Sequence, residues 1–140
     1  HEGCFFFFLH SRVGDGFDAI RFEQMLASDP GRLSLTSDYQ LVYWAGCNSY
    51  SYYTLPFFEM KAAMNRREDP RGTRNLDLLS NGLPSLFAFN AYNAGVLFRA
   101  LMDLERPTSY QNLVDEIEGH ANQRGYPVLV NVLGDEDNPK

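Results

Sequence analysis

Hydrophobic and polar positions alternate between short unbroken apolar runs and longer helical patterns along this chain. Cys4 to Leu9 is apolar at every position, with no strand-like alternation, and ends at His10. A run of that kind predicts a strand buried on both faces, as in parallel sheets. Tyr39 to Ala45 predicts a second such strand, and Leu76 to Leu79 a short third closed by Ser80-Asn81-Gly82. Pro127 to Leu133 predicts a last strand. Helical patterns fill the intervals. One helix is expected to start near Asp15, with Phe17, Ile20 and Met25 or Leu26 facing inward. Thr54 is placed to cap the next, with Pro56 in its first turn and Phe57, Met60 and Met64 at helical spacing. Pro84 begins a long apolar helix reaching about Leu104. Thr108 and Gln111 form a capping box ahead of Tyr110, Leu113, Val114 and Ile117, and Gly125 stops that helix.

Strands alternating with helices at this spacing predict an α/β fold: a three-layer sandwich whose mostly parallel sheet is flanked by helices. Residues 1–140 read as a single α/β domain. Four strands are few for such a sheet. The chain has no initiator Met and enters a strand within three residues, which reads as the C-terminal part of a longer chain lacking an upstream strand.

Composition narrows the function classes. Apolar residues make up 44% and charged residues 21% of 140, a soluble globular composition rather than a disordered or collagen-like one. The net charge of −6 lacks the basic footprint of a nucleic-acid binder. The longest nearly uncharged stretch, around 75–98, is interrupted by Gly82, Pro84 and asparagines, so no membrane span is expected. Aromatic residues reach 14%, with 11 Phe and 8 Tyr. Two cysteines, Cys4 and Cys47, read as free thiols compatible with either redox environment.

Ligands of open α/β sheets bind beyond the carboxyl ends of the strands. His10 ends the first strand, and Cys47 follows the second by one glycine. Adjacent parallel strands would bring their ends to about 5 Å in backbone terms, within cooperating reach of an imidazole and a thiol. A thiol needs a base or a lowered pKa to attack a carbonyl at neutral pH. The helix expected after Cys47 would favour a thiolate with its N-terminal amides.

Papain-like enzymes place Cys before His; here His comes first. The segments Phe5-Phe6-Phe7-Phe8-Leu9-His10 and Leu41-Val42-Tyr43-Trp44-Ala45-Gly46-Cys47 resemble the caspase/gingipain/legumain group of cysteine peptidases, clan CD. In that group a hydrophobic strand ends in His, the next ends in a small residue and Cys, and helices flank the sheet. The resemblance covers the order of elements from Cys4 to about Leu104. It implies a cysteine endopeptidase that cleaves peptide bonds in a peptide or protein substrate and requires no metal or organic cofactor. Cys47 would be the nucleophile and His10 the base, with the backbone amides of Ser11 and Cys47 as the oxyanion donors. The group usually has glycine directly after the His. Here Ser11 stands there, and the nearest glycine is Gly14.

Each residue also has a plainer reading. Cys47 could be a buried structural thiol, and Cys4 reads as core. A zinc site from His1, Cys4 and His10 matches no usual ligand spacing. Gly14-x-Gly16 lacks the third glycine of a dinucleotide loop. Asp15 and Asp18 read as helix-start residues before they read as partners of His10. His120 reads as ordinary surface. Tyr50, Tyr52 and Tyr53 could line a substrate groove or simply cover the sheet edge, and Asp77 could close the same rim to read a basic side chain. The charged loop Arg66–Arg74 is either a solvated loop or an activating cleavage site. A catalytically inactive scaffold of the same architecture, used for binding or assembly, is the rival from another class. A different thiol hydrolase acting on a small amide is a third.

Overall fold

A computed structural model describes residues 3–7, 18–28 and 38–134. The protein is α/β. A four-stranded mixed sheet runs in the order β1 (Gly3–Phe7), β2 (Gln40–Trp44), β3 (Leu76–Asn81), β4 (Val130–Leu133). The first three strands are parallel, and β4 pairs antiparallel with β3. Helices α1 (Ala19–Ser28) and α2 (Leu55–Met64) form the two crossovers, while α3 (Phe87–Met102) and α4 (Tyr110–Asn122) both lie between β3 and β4. Two helices in the last connection let the chain return in the opposite direction, which an apolar run alone does not reveal.

Every residue of β2 and β3 is buried, the polar Gln40 of β2 and Asp77, Ser80 and Asn81 of β3 included. Alternate side chains of β2, together with Ala45, which follows it, feed two separate cores. Leu41, Tyr43 and Ala45 pack with Val96 and Leu97 of α3 and with Leu113 and Ile117 of α4. Val42 and Trp44 pack on the other face with Phe57 and Met60 of α2. Trp44 meets Phe57 edge-on at 5.6 Å between centroids and Tyr53 at 5.2 Å. Among the described residues no helix is long and apolar enough to cross a membrane.

Two local expectations hold, Asp18 at the start of α1 and Gly125 after α4, and others are corrected. Asp18 is the residue whose side chain accepts the Arg21 N–H at 2.9 Å at the start of α1. Ile20 and Met25 are exposed rather than inward-facing. Met64, at the end of α2, is exposed too. Ser109, one residue after the expected Thr108, caps α4 by accepting the Asn112 N–H at 3.2 Å. Gly125 ends that helix region with φ +76°. His120 is half-buried: its ring stacks on Tyr92 at 3.4 Å and meets Phe89 edge-on. Burial against these rings, together with Arg124, lowers its pKa below the ordinary value.

The Arg66–Arg74 loop is anchored from inside. The buried Lys61 ammonium donates to Asp69 at 2.8 Å and to the Arg74 carbonyl. Burial pushes the Asp69 carboxyl up. Lys61 and the backbone amides of Arg74 and Gly72 outweigh it and hold its pKa below the usual value. Gly72 has φ +72°, and a Cβ there would lie 1.9 Å from the Phe58 carbonyl oxygen. Only glycine fits that approach.

Candidate active site at the carboxyl end of β2

Once β2 leaves the ladder, its next carbonyls need new donors, because buried backbone groups are costly unpaired. Side chains from three elements supply them. The Ser49 hydroxyl donates to Trp44 O at 2.7 Å. Asn90 Nδ2, from α3, donates to Ala45 O at 2.8 Å. Asn81 Nδ2, at the end of β3, donates to Gly46 O at 3.2 Å. Ser49 also accepts the Asn81 backbone N–H at 2.8 Å, tying the end of β3 into the same turn. The chain then reverses through Asn48 in the left-handed region, φ +51°, a conformation asparagine tolerates well.

Cys47 sits in this turn, half-buried. Its Sγ donates to the Ser85 carbonyl at 3.2 Å and accepts the Ser85 N–H at 3.4 Å. Ser85 Oγ donates in turn to Asn90 Oδ1 at 3.2 Å. The Asn48 N–H donates to Leu83 O at 3.2 Å, so the Leu83–Ser85 segment lies against the cysteine turn at two points. Helical structure resumes immediately: Tyr50–Thr54 is a π-helical segment that leads into α2. Short π segments recur at functional sites because they re-aim side chains. The helix therefore starts before Thr54, which lies inside it. Thr54 Oγ1 donates to Ser80 Oγ at 3.4 Å instead of capping.

The expected site residues separate. Tyr50 is exposed at the start of the π-helical segment after Cys47. Tyr52 is half-buried and packs beside Tyr53, which is core against Trp44. Asp77 does not share their rim. It pairs with Leu41, whereas Ser80 pairs with Trp44, so it stands about 10 Å back toward the amino end of the strands. There it is fully buried and accepts from Tyr39 at 2.7 Å and from Tyr110. Burial, then the Asp77 carboxyl and Tyr39, drive the Tyr110 pKa upward. Asp77 is a buried tie between the sheet and α4. His10, Ser11 and the Gly14-x-Gly16 segment lie outside the described residues.

Sequence reasoning missed Ser49, Asn81, Ser85 and Asn90. The available signal was a pair of asparagines, Asn90 and Asn93, three residues apart in an otherwise apolar helix. Both are buried. Asn93 Nδ2 donates to the Tyr43 hydroxyl at 3.1 Å, and burial raises the Tyr43 pKa. No family model, curated protein or solved structure matches the chain.

Proposed function

We propose that the chain is a cysteine peptidase-like hydrolase in which His10 and Cys47 form the catalytic dyad. The fold it implies is a three-layer, caspase-like sandwich, a reading supported by separate cores on the two faces of β2. One observation carries the dyad: β1 and β2 are adjacent and parallel, with Phe7 paired to Trp44. His10 follows Phe7 by as many residues as Cys47 follows Trp44.

In this reading His10 takes the Cys47 proton and the thiolate attacks the peptide carbonyl carbon. The carbonyl electrons move to oxygen, facing the amides of Ser11 and Cys47. Collapse breaks the C–N bond, and His10 protonates the leaving amine. Water, deprotonated by His10, then hydrolyses the thioester and frees the thiol. Attack first requires the thiol to leave the Ser85 carbonyl. Tyr50 offers an exposed ring beside the path of an entering peptide.

A second reading is a non-catalytic scaffold, and the same Ser85 contacts favour it, since a thiol with both a donor and an acceptor partner is satisfied as a structural group. Treatment with iodoacetamide or a peptidyl acyloxymethyl ketone at neutral pH, mapped by mass spectrometry, separates the two. The dyad predicts selective labelling of Cys47 that is lost in His10→Ala. Slow and equal labelling of Cys4 and Cys47, unchanged by that substitution, means two inert thiols and the scaffold.

A further inference from the structure

The segment between β3 and α3 is anchored at both ends and held lightly in the middle. The Gly82 N–H donates to Leu129 O at 2.8 Å, and the Leu86 carbonyl accepts the Phe89 N–H at 2.9 Å in the first turn of α3. Between these anchors, Pro84 has no N–H to give. Leu83 O accepts from the Asn48 amide. Ser85 bonds through its amide and carbonyl to Cys47 Sγ and through its hydroxyl to Asn90. Among the described residues, 83–85 makes no other hydrogen bond. Leu83 and Pro84 are also exposed, so the segment buries little apolar surface. A segment with so few ties opens locally at low cost.

We infer that Leu83–Ser85 is a clasp that withholds the Cys47 thiol from reaction until it opens, with the Ser85 hydroxyl on Asn90 as its catch. The inference rests on Cys47 being the reacting group, not on which base serves it. The proton that any base must remove is the one donated to the Ser85 carbonyl, 3.2 Å away. The thiolate is the nucleophile, and it has no proton to give there. It would face the negative end of the carbonyl dipole, so the attacking form requires sulfur and carbonyl to part. The Ser85 N–H, at 3.4 Å, is a contact that thiol and thiolate can both accept.

The catch is firm on its own side. Asn90 is buried in α3, and its Nδ2 is committed to Ala45 O at 2.8 Å, which leaves Oδ1 for Ser85 Oγ at 3.2 Å. One asparagine thus grips both the chain that leads into Cys47 and the segment that holds its sulfur. Ser85 and Asn90 are positioning residues in this arrangement.

Alkylation of the native protein tests the clasp. Ser85→Ala removes the catch and leaves both backbone contacts. Losing one hydrogen bond of ordinary strength shifts a local opening equilibrium about fivefold, so Cys47 should react about fivefold faster, with iodoacetamide and a peptidyl acyloxymethyl ketone alike. Ser85→Thr, which keeps the hydroxyl, should restore the slow rate. The acceleration by Ser85→Ala should persist in a His10→Ala background. If His10→Ala alone leaves the rate unchanged, the dyad falls and the clasp stands. In the unsubstituted protein, the amides of Asn48 and Ser85 should exchange with solvent faster than those of Val42 and Tyr43. A Cys47 rate in Ser85→Ala that is unchanged or slower overturns the clasp. So does equal acceleration of Cys4, which means general loosening, or of Cys47 by Ser85→Thr. A Ser85 amide as protected as those of β2 overturns it as well.

Discussion

The Ser49 hydroxyl donates to Trp44 O and accepts the Asn81 N–H, and all three residues are fully buried. Ser49→Ala removes one oxygen and leaves a carbonyl and an amide without that partner. Unpaired buried polar groups cost about 1–3 kcal/mol each, so a loss of about 2–4 kcal/mol is expected from denaturant unfolding. Since Ser49 holds the turn that carries Cys47, native Ser49→Ala should also alkylate faster at Cys47. A loss under about 0.5 kcal/mol would show that water replaces the hydroxyl. Lys61 and Asp69 make a second local contrast, because here a charge is at stake. The carboxyl pKa is depressed in the folded protein, so its contribution is fully present above the unfolded value, about 3.9, and is lost as pH falls through the folded pKa. Asp69→Asn should therefore cost about 2–4 kcal/mol at pH 7. The gap to the unsubstituted protein should narrow from about pH 5 downward. A gap constant from pH 7 to pH 3 would mean the carboxylate charge contributes nothing.

At the scale of elements, what was legible followed from how local the cause is. The run around β2 is buried on both faces and nearly all apolar, so its composition alone announces it. Strand β3, by contrast, extends through the buried polar Ser80 and Asn81 beyond the expected Leu76–Leu79. Helix α4 declares itself through Ser/Thr capping chemistry and i, i+3, i+4, i+7 spacing, although Ser109 rather than Thr108 is the cap. For α1, Ile20 and Met25 fit an inward stripe by spacing, yet both are exposed, because inward direction depends on where the neighbouring helix lies. The π-helical segment after Cys47 and the antiparallel sense of β4 carry no local signature. Helix α3 was legible as a helix, but its two faces were not. Both are apolar in sequence, and only the fold shows which one meets Tyr43 and which meets solvent. For the site, Cys47 and Tyr50 were legible from the loop that follows a buried strand. The asparagines that satisfy that loop come from α3 and β3, and long-range pairing of this kind has no short-range pattern.

Across the whole molecule, the parallel order of β1, β2 and β3 gives the sheet two chemically different ends. At the carboxyl end, successive carbonyls are released from the ladder and caught by Ser49, Asn90 and Asn81 around a half-buried thiol. At the amino end, Asp77, Tyr39 and Tyr110 close a hydrogen-bonded cluster between β3, the approach to β2, and α4, with the two hydroxyls 2.8 Å apart. The first end is arranged to hold a turn, and the second to hold α4 down on the sheet. The two should therefore respond independently, since sites this far apart with no shared partner behave additively. Asp77→Ala removes the acceptor of two phenol hydroxyls and is expected to lower unfolding stability by at least about 2 kcal/mol. Under native conditions it should leave the alkylation rate of Cys47 unchanged. Were Cys47 reactivity in the still-folded variant to drop severalfold, Asp77 would belong to the thiol's surroundings after all. An unchanged rate beside a lowered unfolding midpoint assigns Asp77 to the architecture and separates it from the surroundings of the thiol at the opposite end of the sheet.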